Sequence, residues 1–186
     1  MGDELKTGDA GELARRTLDQ ARRQTQAWGN LSVRERAERV GELRGEVMRR
    51  RTEIVSVVCA ETGKTREEAL MSSLLPTLEM LRYLEREAPG VLTRRQVPTP
   101  MIYRASKSHV EYRPRGVVLV IAPWNNPFQL CLVPAASALV AGNTVVLKPS
   151  ERTPRTGELV GELCRAAGLP LTVAGGGAAV DKAFVE

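Results

Sequence analysis

The apolar residues of this chain change their spacing about half-way along. Up to about residue 87 they recur every three or four positions, the period of one buried helix face. Ala14, Leu18, Ala21 and Trp28 form the first such stripe, with residues 1–9 as a frayed tail, Asp9 as the predicted N-cap and Gly29-Asn30 as the stop. Ser32 and Glu35 have the spacing of a capping box, so a second helix starts there and turns Ala37, Val40, Leu43 and Val47 inward. A bend near Thr52 separates a further helical run, Glu53 to Glu61, which Gly63 ends. Thr65 then caps a helix from Arg66 to about Glu87 with Leu70, Leu74, Leu78, Leu81 and Leu84 on one face, kinked at Pro76.

Beyond that point the pattern shortens. Pro89 to Pro100 is rich in Pro, Gly and Thr and reads as a loop, and Ser108 to Arg113 alternates polar and apolar residues as an exposed or edge strand does. Val117 to Ile121 is an unbroken aliphatic run suited to a parallel strand buried on both faces. Pro123 ends it, and the loop Trp124-Asn125-Asn126 leads into a helix over Phe128–Ala141, closed by Gly142 and Asn143. Thr144 to Leu147 is a second apolar strand. Ser150 and Glu151 begin a turn, Pro154 lies near the first position of a helix running to about Ala167, and Leu171–Val173 starts a third strand that Gly175-Gly176-Gly177 breaks. Strand, loop, helix and strand in roughly thirty residues is one right-handed βαβ crossover, which sets the loops at 123–126 and 148–151 side by side at the strands' carboxyl ends. Ligands of α/β sheets bind there.

Composition narrows the picture. The 186 residues are 42% apolar and 26% charged, an ordinary globular balance. No apolar run approaches the roughly twenty residues of a membrane span, and MGDELKTGD lacks a signal pattern, so a cytoplasmic protein without membrane contact is the expectation. The net charge of +5 raises nucleic-acid binding, but acids are mixed among the basic residues and Arg49-Arg50-Arg51, the only dense cluster, suits a solvated helix face. Cys59, Cys131 and Cys164 are widely spaced in apolar helical patterns and read as reduced core thiols. With His109 the only histidine, no metal site is expected, and His109 itself fits a surface strand. Gly63-Lys64-Thr65 has the look of a phosphate-loop ending, yet Val58 stands where that motif needs glycine, leaving a helix stop and a cap. No GxGxxG occurs.

Three motifs, RPRGVVLVIAP, PWNNP and AGNTVVLKPSE, together resemble the start of the nucleotide-binding domain of the NAD(P)-dependent aldehyde dehydrogenase superfamily, in its order and at its spacing. ETGKT at Glu61 to Thr65 fits less sharply. The resemblance covers the chain from about Ala21 onward and less than half of such an enzyme. It implies an α/β fold in which N-terminal helices (1–100) and a strand excursion of oligomerisation type (101–113, strands over Ile102–Tyr112) lead into the first, incomplete half of a Rossmann-like parallel sheet (114–186).

The same resemblance implies roles. Asn125 matches the family's oxyanion-stabilising asparagine. Lys148 and Glu151 match the positions that hold the adenosine ribose, with Glu151 favouring NAD over NADP, although NADP stays possible. Ile121 and Ala122 would line the cofactor cleft, and Pro123 and Trp124 would shape its loop. The nucleophilic cysteine and general-base glutamate lie beyond position 186 in the family, and none of the three cysteines here suits the first role. The expected partners are a small aldehyde and either further copies of the chain or a chain supplying the catalytic half. Plainer readings stand beside these: Asn125 and Asn126 capping the next helix, and Lys148 with Glu151 as a surface salt bridge. The chain as a non-catalytic nucleotide-binding or interaction module is the alternative function, with a basic nucleic-acid binder as the weaker one.

Overall fold

The computed structural model describes residues 7–185. Helix α1 (Thr7–Gly29) begins two residues before the expected cap, so Asp9 sits inside its first turn, where a carboxylate favours the positive helix end. Residues 1–6 of the expected tail lie outside the described part. Helix α2 (Val33–Arg49) starts at the capping box, Ser32 Oγ accepting from the Glu35 N–H at 3.2 Å and Glu35 from the Ser32 N–H at 2.7 Å. Ala37, Val40, Leu43 and Val47 are all buried. The break before α3 (Arg51–Thr62) falls at Arg50 rather than near Thr52, and Gly63 ends α3 at φ 72°, a left-handed conformation that glycine adopts without a Cβ clash.

Thr65 and Glu68 form a second capping box for the long helix, which runs as α4 (Arg66–Ala69), a π-helical turn (Leu70–Leu74) and α5 (Leu75–Leu92). The irregularity expected at Pro76 is this wide turn just ahead of it, which makes room for the proline ring. The helix also passes the expected end at Glu87 and takes in Pro89. A proline there removes one backbone donor, while Ala88 beside it is buried, which holds the last turn in place.

Two further expectations are corrected. The supposed loop contains β1 (Arg95–Val97), which pairs antiparallel with β2 (Ser108–Val110), Gln96 opposite the exposed His109. Strand structure over Ile102–Tyr112 is confined to β2. Met101–Tyr103 forms a 3-10 turn, with the Tyr103 N–H bonded to the Pro100 carbonyl at 2.8 Å and the Ser106 N–H to the Tyr103 carbonyl at 2.8 Å, so the backbone donors are used locally.

The parallel sheet holds β3 (Val117–Ala122), β4 (Thr144–Pro149) and β5 (Leu171–Val173) in that order, with Ile121 opposite Lys148. β4 is central and buried along its whole length, whereas β3, expected to be covered on both faces, is an edge strand whose Ile121 is 47% exposed. On one face Val145 and Leu147 pack with Phe128, Leu132 and Leu139 of α6 (Pro127–Val140) and Leu159 and Leu163 of α7 (Pro154–Ala166). On the other, Val146 meets Ala21 of α1 and Ala174, with Phe184 of α8 (Ala178–Val185) alongside. Alternate residues of one strand thus feed two cores. The fold is α/β, with helices leading into the parallel sheet.

Side chains from distant segments complete the helix ends. Trp28 Nε1 donates to the Leu139 carbonyl at 2.9 Å and Arg36 Nε to the Val140 carbonyl at 3.0 Å, satisfying the last turn of α6. Asn143 Oδ1 accepts from the N–H groups of Arg115 and Gly116 at 2.7 and 3.1 Å, tying the start of β3 to that of β4. Glu61 caps α7 across the fold: Oε1 accepts from the Arg155 N–H at 2.8 Å, and Oε2 from the Thr156 N–H at 2.9 Å and hydroxyl at 2.5 Å.

Candidate functional site

The pairing of Ile121 with Lys148 and of Ala122 with Pro149 brings the carboxyl ends of β3 and β4 together, so the loops carrying Asn125 and Glu151 leave the sheet as neighbours. Ala122 is buried, Pro123 and Asn125 are exposed, and Trp124 is 48% exposed with the Arg152 guanidinium 5.3 Å from its ring centroid. That cation–π contact joins the two loops.

The capping alternative for the asparagines is not what the structure contains. Asn126 occupies the N-cap position of α6 without a side-chain cap bond; its Oδ1 instead accepts from Lys64 Nζ, which also donates to Ser72 Oγ at 3.2 Å. Among the described residues the Asn125 amide makes no hydrogen bond, so both its N–H donors remain available at the end of a sheet strand.

Lys148 is 1% exposed, which corrects the picture of a surface salt bridge. Its ammonium is 3.0 Å from Asp181 Oδ1 and 3.8 Å from Glu151 Oε2, and donates to the Pro149 carbonyl at 3.1 Å. Burial of a charge is tolerable only with such partners. Glu151 remains mostly exposed on the turn. Beside it a cleft of about 260 Å³ opens at the carboxyl ends of β4 and β5, lined by Pro149, Ser150, Glu151, Pro154, Val173 and Gly176 among others. A larger groove of about 1060 Å³ runs between α1 and α7 past the chain leading into β5, and holds none of the predicted site residues. Size favours that groove, but position and chemistry favour the smaller cleft, which lies where parallel sheets bind ligands and carries hydroxyl and carboxylate groups.

Sequence reasoning missed Lys64 and Asp181. The stretch Gly63-Lys64-Thr65 stands out in the sequence only as a helix stop and a cap, whereas the contact of Lys64 lies 62 positions away, and Asp181 closes on Lys148 through a turn after β5.

Two of the three cysteines, Cys131 and Cys164, are buried. Burial pushes the Cys131 thiol up to about 12 and does the same at Cys164. Cys59 is half-buried and donates to the Thr65 carbonyl at 3.5 Å. With a thiol reagent at pH 8 the native chain is expected to give one reacting equivalent, Cys59, with Cys131 and Cys164 joining only in denaturant. Rapid modification of all three without unfolding would show the core to be more open than this packing. Among the described residues no group of three or more His, Cys, Asp or Glu side chains is arranged to hold a metal, and no helix is long and apolar enough to cross a membrane.

The family model for the aldehyde dehydrogenase family matches residues 6–186. The chain belongs to the aldehyde dehydrogenase family. It is 38% identical over 159 residues to the 4,4'-diapolycopene aldehyde oxidase of Methylomonas, covering 85% of this chain and 30% of that protein. Against a putative succinate-semialdehyde dehydrogenase [NADP(+)] of Mycolicibacterium smegmatis it is 35% identical over 192 residues, covering 100% of this chain and 37% of the relative. Among solved structures, the substrate-bound state of Staphylococcus aureus AldH superposes with a TM-score of 0.84 at 26% identity, over 92% of this chain and 38% of that one. An apo indole-3-acetaldehyde dehydrogenase gives a TM-score of 0.84 at 28% identity, over 97% and 41%. The chain therefore spans about a third of the length of the curated relatives it matches.

Proposed function

We propose that the chain is the cofactor-binding and oxyanion-stabilising part of an NAD-linked aldehyde dehydrogenase that oxidises an aldehyde to a carboxylic acid. The observation that carries the reading is the contrast at PWNNP: Asn126 is engaged by Lys64, while Asn125, among the described residues, keeps an unbonded amide just beyond the carboxyl end of β3. An amide held in this way can donate to the oxygen that becomes negative when a thiolate adds to an aldehyde.

The residues at the neighbouring cleft fit the adenosine half of a nicotinamide dinucleotide. Glu151 accepts from ribose hydroxyls, the Lys148 ammonium lies behind it, and Ser150 adds a hydroxyl at the rim. The cleft's volume suits part of a dinucleotide rather than all of it. Ile121 and Ala122 end β3 on the other side of β4, and Pro123 and Trp124 begin the loop beyond it, outside the lining of this cleft; in this reading they meet the rest of the cofactor. Bound in this cleft, NAD supplies the hydride acceptor of the reaction. The chain's own residues bind and orient: the edge position of β3 leaves Ile121 and Trp124 open to whatever packs there. The preference for NAD rests on Glu151, although the name of the Mycolicibacterium relative specifies NADP(+).

In this reading the thiolate and the carboxylate base of the reaction come from other residues than those present: Cys131 and Cys164 are buried and held protonated, and the Cys59 thiol donates to the Thr65 carbonyl. The purified 186-residue chain alone is therefore expected to leave NAD and NADP unreduced with any aldehyde. Saturable turnover that survives Cys131→Ala and disappears with Asn125→Ala would place the whole reaction within these residues and overturn this assignment of parts. Binding of NAD without turnover agrees with it, and absence of NAD binding removes the cofactor role.

A further inference from the structure

The turn after β5 puts an acid where the motif gives no reason for one. Gly176 has φ 131° and approaches α8 so closely that an added Cβ would lie 2.5 Å from Val180 Cγ2. The backbone thus doubles back, with the Val180 N–H bonded to the Gly177 carbonyl at 2.9 Å, and the next residue, Asp181, reaches the end of β4. Its Oδ1 lies 3.0 Å from Lys148 Nζ and is shielded from solvent. Lys148 is thereby flanked by two carboxylates, Asp181 within and Glu151 at the rim, and by the Pro149 carbonyl.

We propose that Asp181 is a determinant of cofactor selection: with Glu151 it over-neutralises Lys148, so that the cleft takes a nucleotide with a free 2′-hydroxyl and rejects one carrying a 2′-phosphate. The proposal rests on the assignment of this cleft to the adenosine half of the cofactor. A phosphate on the ribose needs a cation with unspent charge, as from an arginine or an unpaired lysine. Here one ammonium faces two carboxylates, so these three groups together carry one net negative charge, while Arg152, next on the turn, lies over the Trp124 ring. A ribose hydroxyl needs only a donor and an acceptor, and the Ser150 hydroxyl and Glu151 carboxylate that line the cleft offer both. A purely structural role for Asp181, holding a buried lysine, has a different consequence: its loss weakens every nucleotide alike.

The test is equilibrium binding of NAD and of NADP to the 186-residue chain by calorimetry, for the parent, Asp181→Asn and Glu151→Gln, with a melting curve for each. The parent is expected to bind NAD more tightly than NADP, and each substitution to narrow the ratio about tenfold, the scale of one unit charge a few ångströms from a phosphate. In the parent the preference is also expected to shrink between low and high salt, a readout that does not depend on Asp181→Asn folding. A ratio unchanged in Asp181→Asn, with both affinities lowered together, overturns the proposal and leaves the cofactor site standing. A parent preference for NADP, or one indifferent to salt, also overturns it. Failure of the parent to bind either nucleotide removes the cofactor reading itself, and the proposal with it.

Discussion

In an assembly that also carries the thiolate and general base, Asn125→Ala is expected to lower kcat by about 100- to 1,000-fold, or about 2.7–4 kcal/mol, with cofactor affinity almost unchanged. The loss falls on kcat because the amide donates to a charge that develops only as the aldehyde is attacked. The structure sharpens the comparison with its neighbour. Asn126 bonds to Lys64, so Asn126→Ala removes a contact between the turn joining α3 to α4 and the PWNNP loop and is expected to cost about 1 kcal/mol of stability, with a far smaller effect on kcat. Asn125 has no such contact among the described residues, so its removal should leave the melting curve in place. Steady-state kinetics and thermal melts on both variants decide the matter. A lowered melting point with unchanged kcat at Asn125 would mean that the side chain is structural, and the main catalytic assignment would be lost.

Much of this fold is written in local chemistry. The pairs Ser32 with Glu35 and Thr65 with Glu68 sit three residues apart, and each makes the reciprocal bonds that spacing allows. Gly63 ends its helix in the one backbone conformation that favours glycine, and the aliphatic runs at Val117 and Thr144 pair in parallel as their shared composition requires. What could not be read locally depends on pairing between distant segments. Composition marks β3 as buried but does not say that it lies at a sheet edge, because strand order is a property of the assembled sheet. Glu61 caps a helix that starts more than ninety residues later, and its own surroundings mark it only as the end of α3. The motif singles out Lys148, while the acid that holds it, Asp181, lies in a segment of no clear pattern. Pro89 misled for a related reason: near a helix end a missing donor is cheap, and the burial of Ala88 outweighs it.

Gly157→Ala is expected to destabilise the chain by about 2 kcal/mol, whereas Gly161→Ala, one turn further along α7, is expected to be nearly neutral. Both glycines let α7 approach the sheet closely. A Cβ on Gly157 would lie 2.3 Å from Pro149 Cγ and 2.5 Å from its Cβ, and a Cβ on Gly161 would lie 2.6 Å from Val173 Cγ2. The obstacles differ in kind. Pro149 ends the buried central strand, and its ring is fixed to the backbone, so relief requires α7 or β4 to move, an overpacking cost of about 3 kcal/mol. The Val173 methyl group rotates about one bond, at a cost of about 1 kcal/mol. Against both stands the gain from replacing glycine with alanine in a helix interior, about 1 kcal/mol, which leaves the first variant well below the parent and the second close to it. Pro149 and Val173 both line the candidate cofactor cleft, so NAD binding is expected to weaken most in Gly157→Ala, where backbone must shift, and less in Gly161→Ala, where one side chain turns. Urea unfolding of the three proteins measures the stability difference directly. If Gly157→Ala unfolded at the same urea concentration as the parent, or a higher one, α7 would have to sit further from β4 than described here, and the shape assigned to the cleft would fall with that contact.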